Sequence, residues 1–401
     1  MLKLSRYISG DLFLWSLIVA LLVFSIIPVY SASANLAYLG KGTGDTSRFL
    51  IRHLGHIIMG LIAMWAVHKT PYRLFNGLSV LLIYPAIVLL VITALQGTTM
   101  GGANASRWIT IPGIGMQLQT STLVFVILMV YVAKYLSNIA HKTITFKQSL
   151  LPLWLPVGLT LLFVLPSNFS TTALIFIMVL ALCFIGGYPW KYLLGIIGVG
   201  IVALSLFILT AKAFPDLFPN RVDTWISRIE NFSGSGTADT NYQTERALAA
   251  ISEGGIPGVG PGKSMLRPFL PQSSSDFIYA IIIEEFGFIG AFGIVIMYLL
   301  ILFRLVVITK KAKDIFGRLV VIGVGFPIIF QACINMAVAV NLMPVTGQTL
   351  PFISSGGTSI LMSCLAMGIV LSVSASKDVK EPLEETKEED MNPLDVLSET
   401  I

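Results

Sequence analysis

Long apolar runs separated by short polar segments organise most of this chain. Windows of about 20 apolar residues match the length of a helix that crosses a bilayer, and they occur ten times here. The runs lie near residues 12–34, 53–69, 76–95, 119–137, 150–166, 169–187, 191–212, 277–308, 317–341 and 354–375. The pattern predicts an all-α integral membrane protein with about ten transmembrane helices, forming one polytopic domain over residues 1–376.

Two longer polar segments interrupt or follow this pattern. Residues 213–276 separate spans seven and eight, and they contain helix-like stretches at 221–229 and 242–252 and a glycine-rich run at 254–262. Residues 377–401 are rich in glutamate and contain no aromatic residue, which predicts a disordered acidic tail. The sequence therefore predicts one large loop and one tail outside the membrane.

The distribution of basic residues predicts the orientation. Cytoplasmic loops carry an excess of lysine and arginine, and one set of loops contains most of these residues, including Lys142, Lys147, Lys310, Lys311 and Lys313. The opposite short loops contain only Lys41, Arg48, Arg52 and Arg107. We therefore expect both termini, with the acidic tail, in the cytoplasm and the 213–276 loop on the extracytoplasmic side of the cytoplasmic (inner) membrane.

Composition supports the membrane interpretation and restricts the function. The chain is 55% hydrophobic and 12% charged, with a mean hydropathy of +0.84, whereas soluble domains contain about 25% charged residues. Nine of the 21 carboxylates lie in the tail, so the membrane body is strongly basic and suits phosphate-bearing substrates or anionic lipid. No Asp or Glu occurs between Asp45 and Asp216, which argues against ion-coupled transport but leaves a facilitator open.

Three carboxylates at the end of the long loop are the candidates for chemistry. Asp276 stands where a polar Gln-Ser-Ser-Ser stretch meets the eighth span, so Ser275 or Asp276 could cap that helix, or Asp276 could act as a general base at the outer membrane surface. Glu284 and Glu285 lie deeper, where a carboxylate is costly unless it is paired or protonated. We interpret them first as structural partners and second as catalytic groups.

Cations and glycines on the same side complete the candidate site. Arg107 lies beside Trp108, and Lys263 and Arg267 follow the glycine run. Arg107 and Trp108 could anchor the chain at the membrane interface, and the arginine could equally bind a pyrophosphate through its planar fork. The glycine run lacks the spacing of a nucleotide-binding loop, so we expect it to let the backbone turn tightly against the membrane or the substrate.

Four motifs make the chain resemble the SEDS family (shape, elongation, division and sporulation), and its division branch more than its elongation branch. They are Arg107-Trp108-Ile109, the stretch from Tyr242 to Ser264 with its glycine run, the stretch from Leu270 to Gly287 that contains Asp276, and the stretch Pro344–Ser359. The second and third together are highly specific. Between them, the motifs extend over most of the membrane region.

This resemblance implies a peptidoglycan glycosyltransferase that polymerises lipid II into glycan strands at the outer membrane face and releases undecaprenyl pyrophosphate, with Asp276 as the catalytic residue. It also implies a class B penicillin-binding protein (FtsI-like) and other division proteins as partners at the septum, and a divalent cation, Mg or Mn, is a candidate cofactor. The substrate-binding candidates are Arg107, Trp108, Lys263, Ser264, Arg267 and Glu285. A lipid II flippase and a non-catalytic scaffold that activates the penicillin-binding protein remain alternatives.

The chain departs from the family pattern mainly in the fourth span. Thr122 occupies the position of a family glutamate, and Phe125 occupies the position of a family lysine. The stretch from Asn168 to Thr171 replaces a motif that normally contains an aspartate, and Ser355 stands where tyrosine is common. With these charges missing, we expect more of the chemistry to depend on the loop that ends at Asp276.

Overall fold

The computed structural model describes residues 8–39, 47–96, 99–100, 103–104, 108–110, 117–140, 142–213, 228, 232, 238–270 and 272–376. Three sequence predictions fall outside these residues: the side chain of Arg107, most of the helix-like stretch at 221–229, and the acidic tail at 377–401.

The described chain is almost entirely helical. Its helices are α1 (Leu12–Leu39), α2 (Ser47–Lys69), α3 (Tyr72–Gln96), α4 (Thr120–Ile139), α5 (Phe146–Ser149), α6 (Leu155–Val164), α7 (Phe169–Ile185), α8 (Trp190–Ala213), α9 (Ala238–Gly254), α10 (Ile278–Lys311), α11 (Ile315–Ala339) and α12 (Gly357–Ala375). A π-helical segment, Leu150–Trp154, joins α5 to α6.

The helices follow the predicted spans closely. Among the described residues, nine helical stretches are long and apolar enough to cross a membrane, and the shorter apolar helix Phe169–Ile185 corresponds to the sixth predicted span. The polar break before that helix has a local cause, because the Asn168 side chain accepts a hydrogen bond from Thr171 N (3.2 Å) and caps α7. The fold class is therefore the predicted one, and α9 covers the predicted helix-like stretch at 242–252.

Helices α11 and α12 are the most buried spans. Helix α12 packs against α2, α4 and α11, and α11 also contacts α7 and α10. The packing of α2 on α12 depends on small residues, because a methyl group on Gly60 would lie 3.0 Å from Cys364 Sγ and one on Gly368 would lie 2.9 Å from Met64 O. Glycines that allow such close backbone approach are typical of helix pairs in membranes.

Helix α10 is broken near its beginning, where the sequence predicted a continuous span. Gly287 has φ 65° and ψ −166°, a conformation that only glycine adopts easily, so the helical hydrogen bonds are interrupted there. The glycine-rich run supplies replacements: Val259 N donates to Glu284 O (2.9 Å) and Gly260 N donates to Glu285 O (3.0 Å). Phe288 N donates in return to Gly255 O (2.9 Å).

This pairing requires the glycines. Gly258 has φ +81°, and a Cβ at that position would lie 2.3 Å from Glu285 O. A Cβ on Gly254 would lie 2.1 Å from Ile283 O. The glycine run therefore turns against the broken helix itself, which places the polar residues that follow it, 262–276, over the beginning of α10.

Short strands connect α3 to α4 at one end of the bundle. Trp108–Thr110 pairs antiparallel with Gln117–Gln119, so that Trp108 lies opposite Gln119, and Thr99–Met100 pairs with Ala103–Asn104. The strand Gln117–Gln119 lies next to α12. Trp108 thus belongs to the hairpin at the end of the bundle where α12 begins.

Candidate active site

Asp276 closes a tight turn immediately before α10. Gln272 has φ 57°, and its carbonyl accepts hydrogen bonds from Ser275 N (3.0 Å) and Asp276 N (3.2 Å). The helix begins at Ile278 with Phe277 in the N-cap position and no side-chain capping bond. The interpretation of Ser275 or Asp276 as the helix cap is therefore wrong, because the N-cap position lies one residue after Asp276 and two residues after Ser275.

The half-buried carboxylate of Asp276 lies against Gly347. A methyl group added to Gly347 would lie 3.5 Å from Asp276 Oδ2 and 4.0 Å from Arg228 Nη1. Gly347 has φ +69°, a backbone conformation that favours glycine, and a methyl group there would lie within van der Waals range of both charged groups. The main-chain carbonyl of Asp276 accepts a hydrogen bond from Asn335 Nδ2 (2.7 Å).

Arg228 is the functional candidate that the sequence analysis missed. Its guanidinium is half-buried, and Nη1 donates to Val345 O (3.2 Å). Burial lowers the pKa of Arg228, and the nearby carboxylate of Asp276 raises it in opposition. In the sequence, Arg228 is one arginine in a polar loop, and no spacing relates it to Asp276.

The segment 344–356, here called the signature loop, is bonded to the turn that precedes Asp276. Ser354 Oγ donates to Ser275 O (2.6 Å), and Ser355 N donates to Ser274 O (2.8 Å). Ser355, which stands where the family commonly has tyrosine, thus takes part through its backbone. The fourth motif of the resemblance is therefore brought into direct contact with the third.

Two amide side chains of α11 donate hydrogen bonds to the signature loop. Asn335 Nδ2 donates to Gln348 O (2.7 Å) as well as to Asp276, and Gln331 Nε2 donates to Thr349 O (3.0 Å). Gln331 and Asn335 are four residues apart and therefore share one face of the helix. Gln348 in turn donates through Nε2 to Thr171 Oγ1 (3.1 Å) on α7.

Glu284 anchors the loop that carries Ser264. Its Oε2 accepts from Ser264 Oγ (2.5 Å), and its Oε1 accepts from Met265 N (2.7 Å) and Leu266 N (3.1 Å). Ser264 is itself buried. This arrangement agrees with the structural interpretation of Glu284, because the three donors satisfy a carboxylate that would otherwise be costly to bury.

Glu285 and Arg267 meet at Ser31, near the end of α1. The Ser31 hydroxyl donates to Glu285 Oε1, and Arg267 Nη1 donates to Ser31 Oγ (2.9 Å) and to Gly262 O (3.2 Å). Lys263, the other cation after the glycine run, is exposed. Three of the substrate-binding candidates, Glu285, Ser264 and Arg267, therefore make hydrogen bonds within the protein that hold the loop. Lys263 instead extends from the loop into the surroundings.

The substituted positions of the fourth span line a cavity. It lies between α4, α11 and α12, and its wall includes Thr122, Phe125, Gln331, Ser359 and Ser363. The wall contains neutral polar and apolar groups. Thr122 and Phe125 in this wall occupy the positions of the glutamate and the lysine of the family pattern. Because Gln331 also contacts the signature loop, the cavity adjoins the structure that supports Asp276.

The described residues do not build a metal site from protein ligands. No group of three or more His, Cys, Asp or Glu side chains suited to a metal ion occurs in the part of the chain that the structure describes. The carboxylate of Asp276 is faced by an arginine, a cation that competes for the same oxygens. Among the described groups, Arg228 is the cation placed near the Asp276 carboxylate, and Lys263 and Arg267 follow the glycine run.

Comparisons with known proteins agree with the fold and the motifs. Residues 12–379 match the family model FTSW_RODA_SPOVE, described as cell cycle protein. The probable peptidoglycan glycosyltransferase FtsW of Hydrogenovibrio crunogenus is 31% identical over 85% of this chain and 86% of that protein. Stage V sporulation protein E of Bacillus subtilis is 30% identical over 91% of this chain and 97% of that protein.

Two solved structures share the architecture. A chain of a peptidoglycan synthase complex that coordinates polymerization and crosslinking superposes with a TM-score of 0.70, 25% identity, and coverage of 92% of this chain and 99% of that chain. The rod shape determining protein RodA of Thermus thermophilus superposes with a TM-score of 0.65 at 23% identity, covering 94% of this chain and 100% of RodA.

Proposed function

This chain belongs to the family of FtsW, RodA and SpoVE cell cycle proteins, and from that membership we propose that it is a peptidoglycan glycosyltransferase that polymerises lipid II during septal wall synthesis. The observation that carries the proposal is the position of Asp276 at the head of α10, where it faces Arg228 across Gly347 and is bonded through its backbone to α11. A half-buried carboxylate held in this way suits a general base.

The proposed reaction is an inverting glycosyl transfer. Asp276 takes the proton from the 4-hydroxyl group of the acceptor sugar while that oxygen forms a bond to the anomeric carbon of the growing chain. The bond from the anomeric carbon to the pyrophosphate oxygen breaks, and its electron pair leaves with undecaprenyl pyrophosphate. A pyrophosphate leaving group needs no protonation, so one carboxylate is enough, unlike the paired acids of glycoside hydrolysis.

Cations must offset the charge that develops on the departing pyrophosphate. Lys263 is exposed at the end of the glycine run, and Arg107 precedes the hairpin residue Trp108 in the sequence, so we assign both to pyrophosphate binding. Arg267 is already bonded to Ser31 and to Gly262, and we assign it a supporting role in the loop. A divalent ion that arrives with the pyrophosphate would act as part of the substrate.

We also propose a partner and a location. One matched chain comes from a complex that coordinates polymerization with crosslinking, which supports pairing of this chain with a class B penicillin-binding protein. The curated relatives named FtsW support a role at the division septum. The extracytoplasmic position of the 213–276 loop, with both termini in the cytoplasm, follows from the distribution of basic residues.

The test is chain growth from labelled lipid II by the purified protein with its class B partner, comparing the wild type with Asp276→Asn. We expect glycan strands from the wild type and a loss of at least about 100-fold in Asp276→Asn, because removal of a general base typically costs 10²–10⁴-fold. Full polymerisation by Asp276→Asn would contradict the assignment. Movement of lipid II across vesicles without polymer would identify a flippase, and an inactive wild type that stimulates its partner would identify a scaffold.

A further inference from the structure

The side chain of Asn335 reaches the residue proposed as the base from the interior of the bundle. It lies on α11, it is 1% exposed, and its Nδ2 is 2.7 Å from both Asp276 O and Gln348 O. A primary amide has two N–H donors, and these two contacts use both. One buried side chain therefore bridges Asp276 and the signature loop.

The carbonyl of Asp276 needs this partner because of how α10 begins. In a regular α-helix, the N–H four residues later would donate to it, but Ala280 N donates to Phe277 O (3.0 Å) instead. Asn335 supplies the donor that the helix does not, and this fixes the backbone of Asp276 relative to α11.

From this geometry we propose that Asn335 is a positioning residue for the reaction, holding Asp276 in register with the signature loop. The proposal rests on the glycosyltransferase function proposed above. Asn335 acts through the main chain of Asp276 and does not need to contact the substrate. Its loss should therefore reduce the rate of the chemical step and leave substrate binding largely intact.

A displacement of about 1 Å between reacting groups can cost about 100-fold in rate. For Asn335→Ala we expect kcat to fall by about 10- to 100-fold, with the KM for lipid II within about two-fold of the wild type. Asn335→Asp keeps the shape and replaces the donor with an acceptor that faces two carbonyl oxygens, so its kcat should fall at least as far. Asn335→Gln keeps both donors on a side chain one methylene longer, and it should recover part of the rate.

Gln331→Ala provides a matched comparison. Gln331 lies one turn away on the same face of α11 and donates to Thr349, with no bond to Asp276. Thr160→Val controls for the loss of a buried hydrogen bond elsewhere, because Thr160 Oγ1 donates only to its own helix at Pro156 O (2.8 Å). Thermal unfolding in detergent identifies the variants that fold, and kinetic constants are compared only among these.

Amide hydrogen exchange gives a readout that does not depend on activity. Asn335→Ala should raise exchange in both the 272–280 and the 346–350 peptides, whereas Gln331→Ala should raise it only in the second. A folded Asn335→Ala protein with wild-type kcat, or with unchanged exchange in 272–280, would overturn the inference while leaving the proposed function intact. A wild type that does not polymerise would remove the proposed function, and the exchange pattern would still decide whether Asn335 fixes the backbone of Asp276.

Discussion

The guanidinium of Arg228 faces the carboxylate of Asp276 across Gly347, although Arg228 precedes helix α9 and Asp276 follows it. A cation within this range favours the ionised form of a carboxylate, and a general base must be ionised to accept a proton. The pair therefore joins two parts of the loop and places a positive charge beside the proposed base.

Arg228→Gln should make activity more sensitive to acid. Without the positive charge beside the proposed base, the acid limb of the kcat/KM profile should move to higher pH. Arg228→Lys keeps the charge but loses the planar fork, so its acid limb should stay near that of the wild type while its rate falls.

Arg246→Gln is the matched control for this pH profile. Arg246 lies on α9 in the same loop, over the rings of Tyr242 and Phe269, and its removal should leave the acid limb in place. If Arg228→Gln and Arg246→Gln give the same pH profile, Arg228 has no electrostatic role at Asp276.

Gly287→Ala should destabilise the protein strongly. The substitution would place a Cβ 2.2 Å from Ile256 O at a backbone φ of +65°, so it combines a steric clash with a conformation that side chains rarely adopt. We expect a loss of about 2–4 kcal/mol in the free energy of unfolding, measured as a lower midpoint in fluorescence-detected thermal unfolding.

Gly293→Ala provides the comparison on the same helix. Gly293 is exposed, and a Cβ there would meet nothing within 4 Å, so alanine should be neutral or stabilise α10 by up to about 1 kcal/mol. Equal thermal midpoints for the two alanine variants would show that the break at Gly287 is not required for folding.

The sequence predicts the membrane helices well because the signal is local. Each span is an apolar run of about 20 residues. The observed membrane helices follow those runs to within a few residues, apart from the start of α2 and the end of α1. Asp276 could also be found, since it lies in a specific motif at the boundary between a polar stretch and an apolar run.

Contacts between distant parts of the chain could not be read in the same way. In the sequence, Gly287 looks like the other glycines of the same apolar run, Gly290 and Gly293. Only the hydrogen bonds between the glycine run and the start of α10 distinguish it. Arg228 and Asn335 reach Asp276 from a loop and from another helix, so their relation to it depends on tertiary packing. Sequence periodicity does not predict such packing.

Glu284→Gln should disturb the loop and lower polymerisation. The carboxylate accepts three hydrogen bonds from residues 264–266, and bonds to a charged acceptor contribute about 1.5–3 kcal/mol each. An amide keeps one acceptor oxygen and presents N–H donors to groups that also donate. We expect a lower thermal midpoint and faster proteolysis within 255–270.

Ser264→Ala should have a smaller effect of the same kind, because it removes only one of the three donors to Glu284. Glu253→Gln tests charge loss alone, since Glu253 is exposed on α9, and its thermal midpoint and cleavage rate should match the wild type. Wild-type stability and cleavage in Glu284→Gln would mean that Glu284 does not anchor this loop.

The ion pair between Asp11 and Arg304 provides a test at the opposite end of the bundle from Asp276. Asp11 caps α1 through Leu14 N (2.9 Å), its carboxylate accepts from the Arg304 guanidinium on α10, and its backbone N–H donates to Ser374 Oγ (3.0 Å) on α12. The Asp11 side chain is 6% exposed, so the pair is shielded from solvent more than a surface salt bridge.

Asp11→Asn should therefore lower the stability of the protein without changing the intrinsic chemistry. The neutral amide leaves the Arg304 charge without its counter-ion, and breaking a buried pair costs about 3–5 kcal/mol; because Arg304 is 26% exposed, we expect a smaller loss, about 1–3 kcal/mol. The measurement is the thermal midpoint together with kcat and KM below the transition, where both constants should equal the wild-type values. A fall in kcat at unchanged stability would instead mean that this end of the bundle is coupled to Asp276.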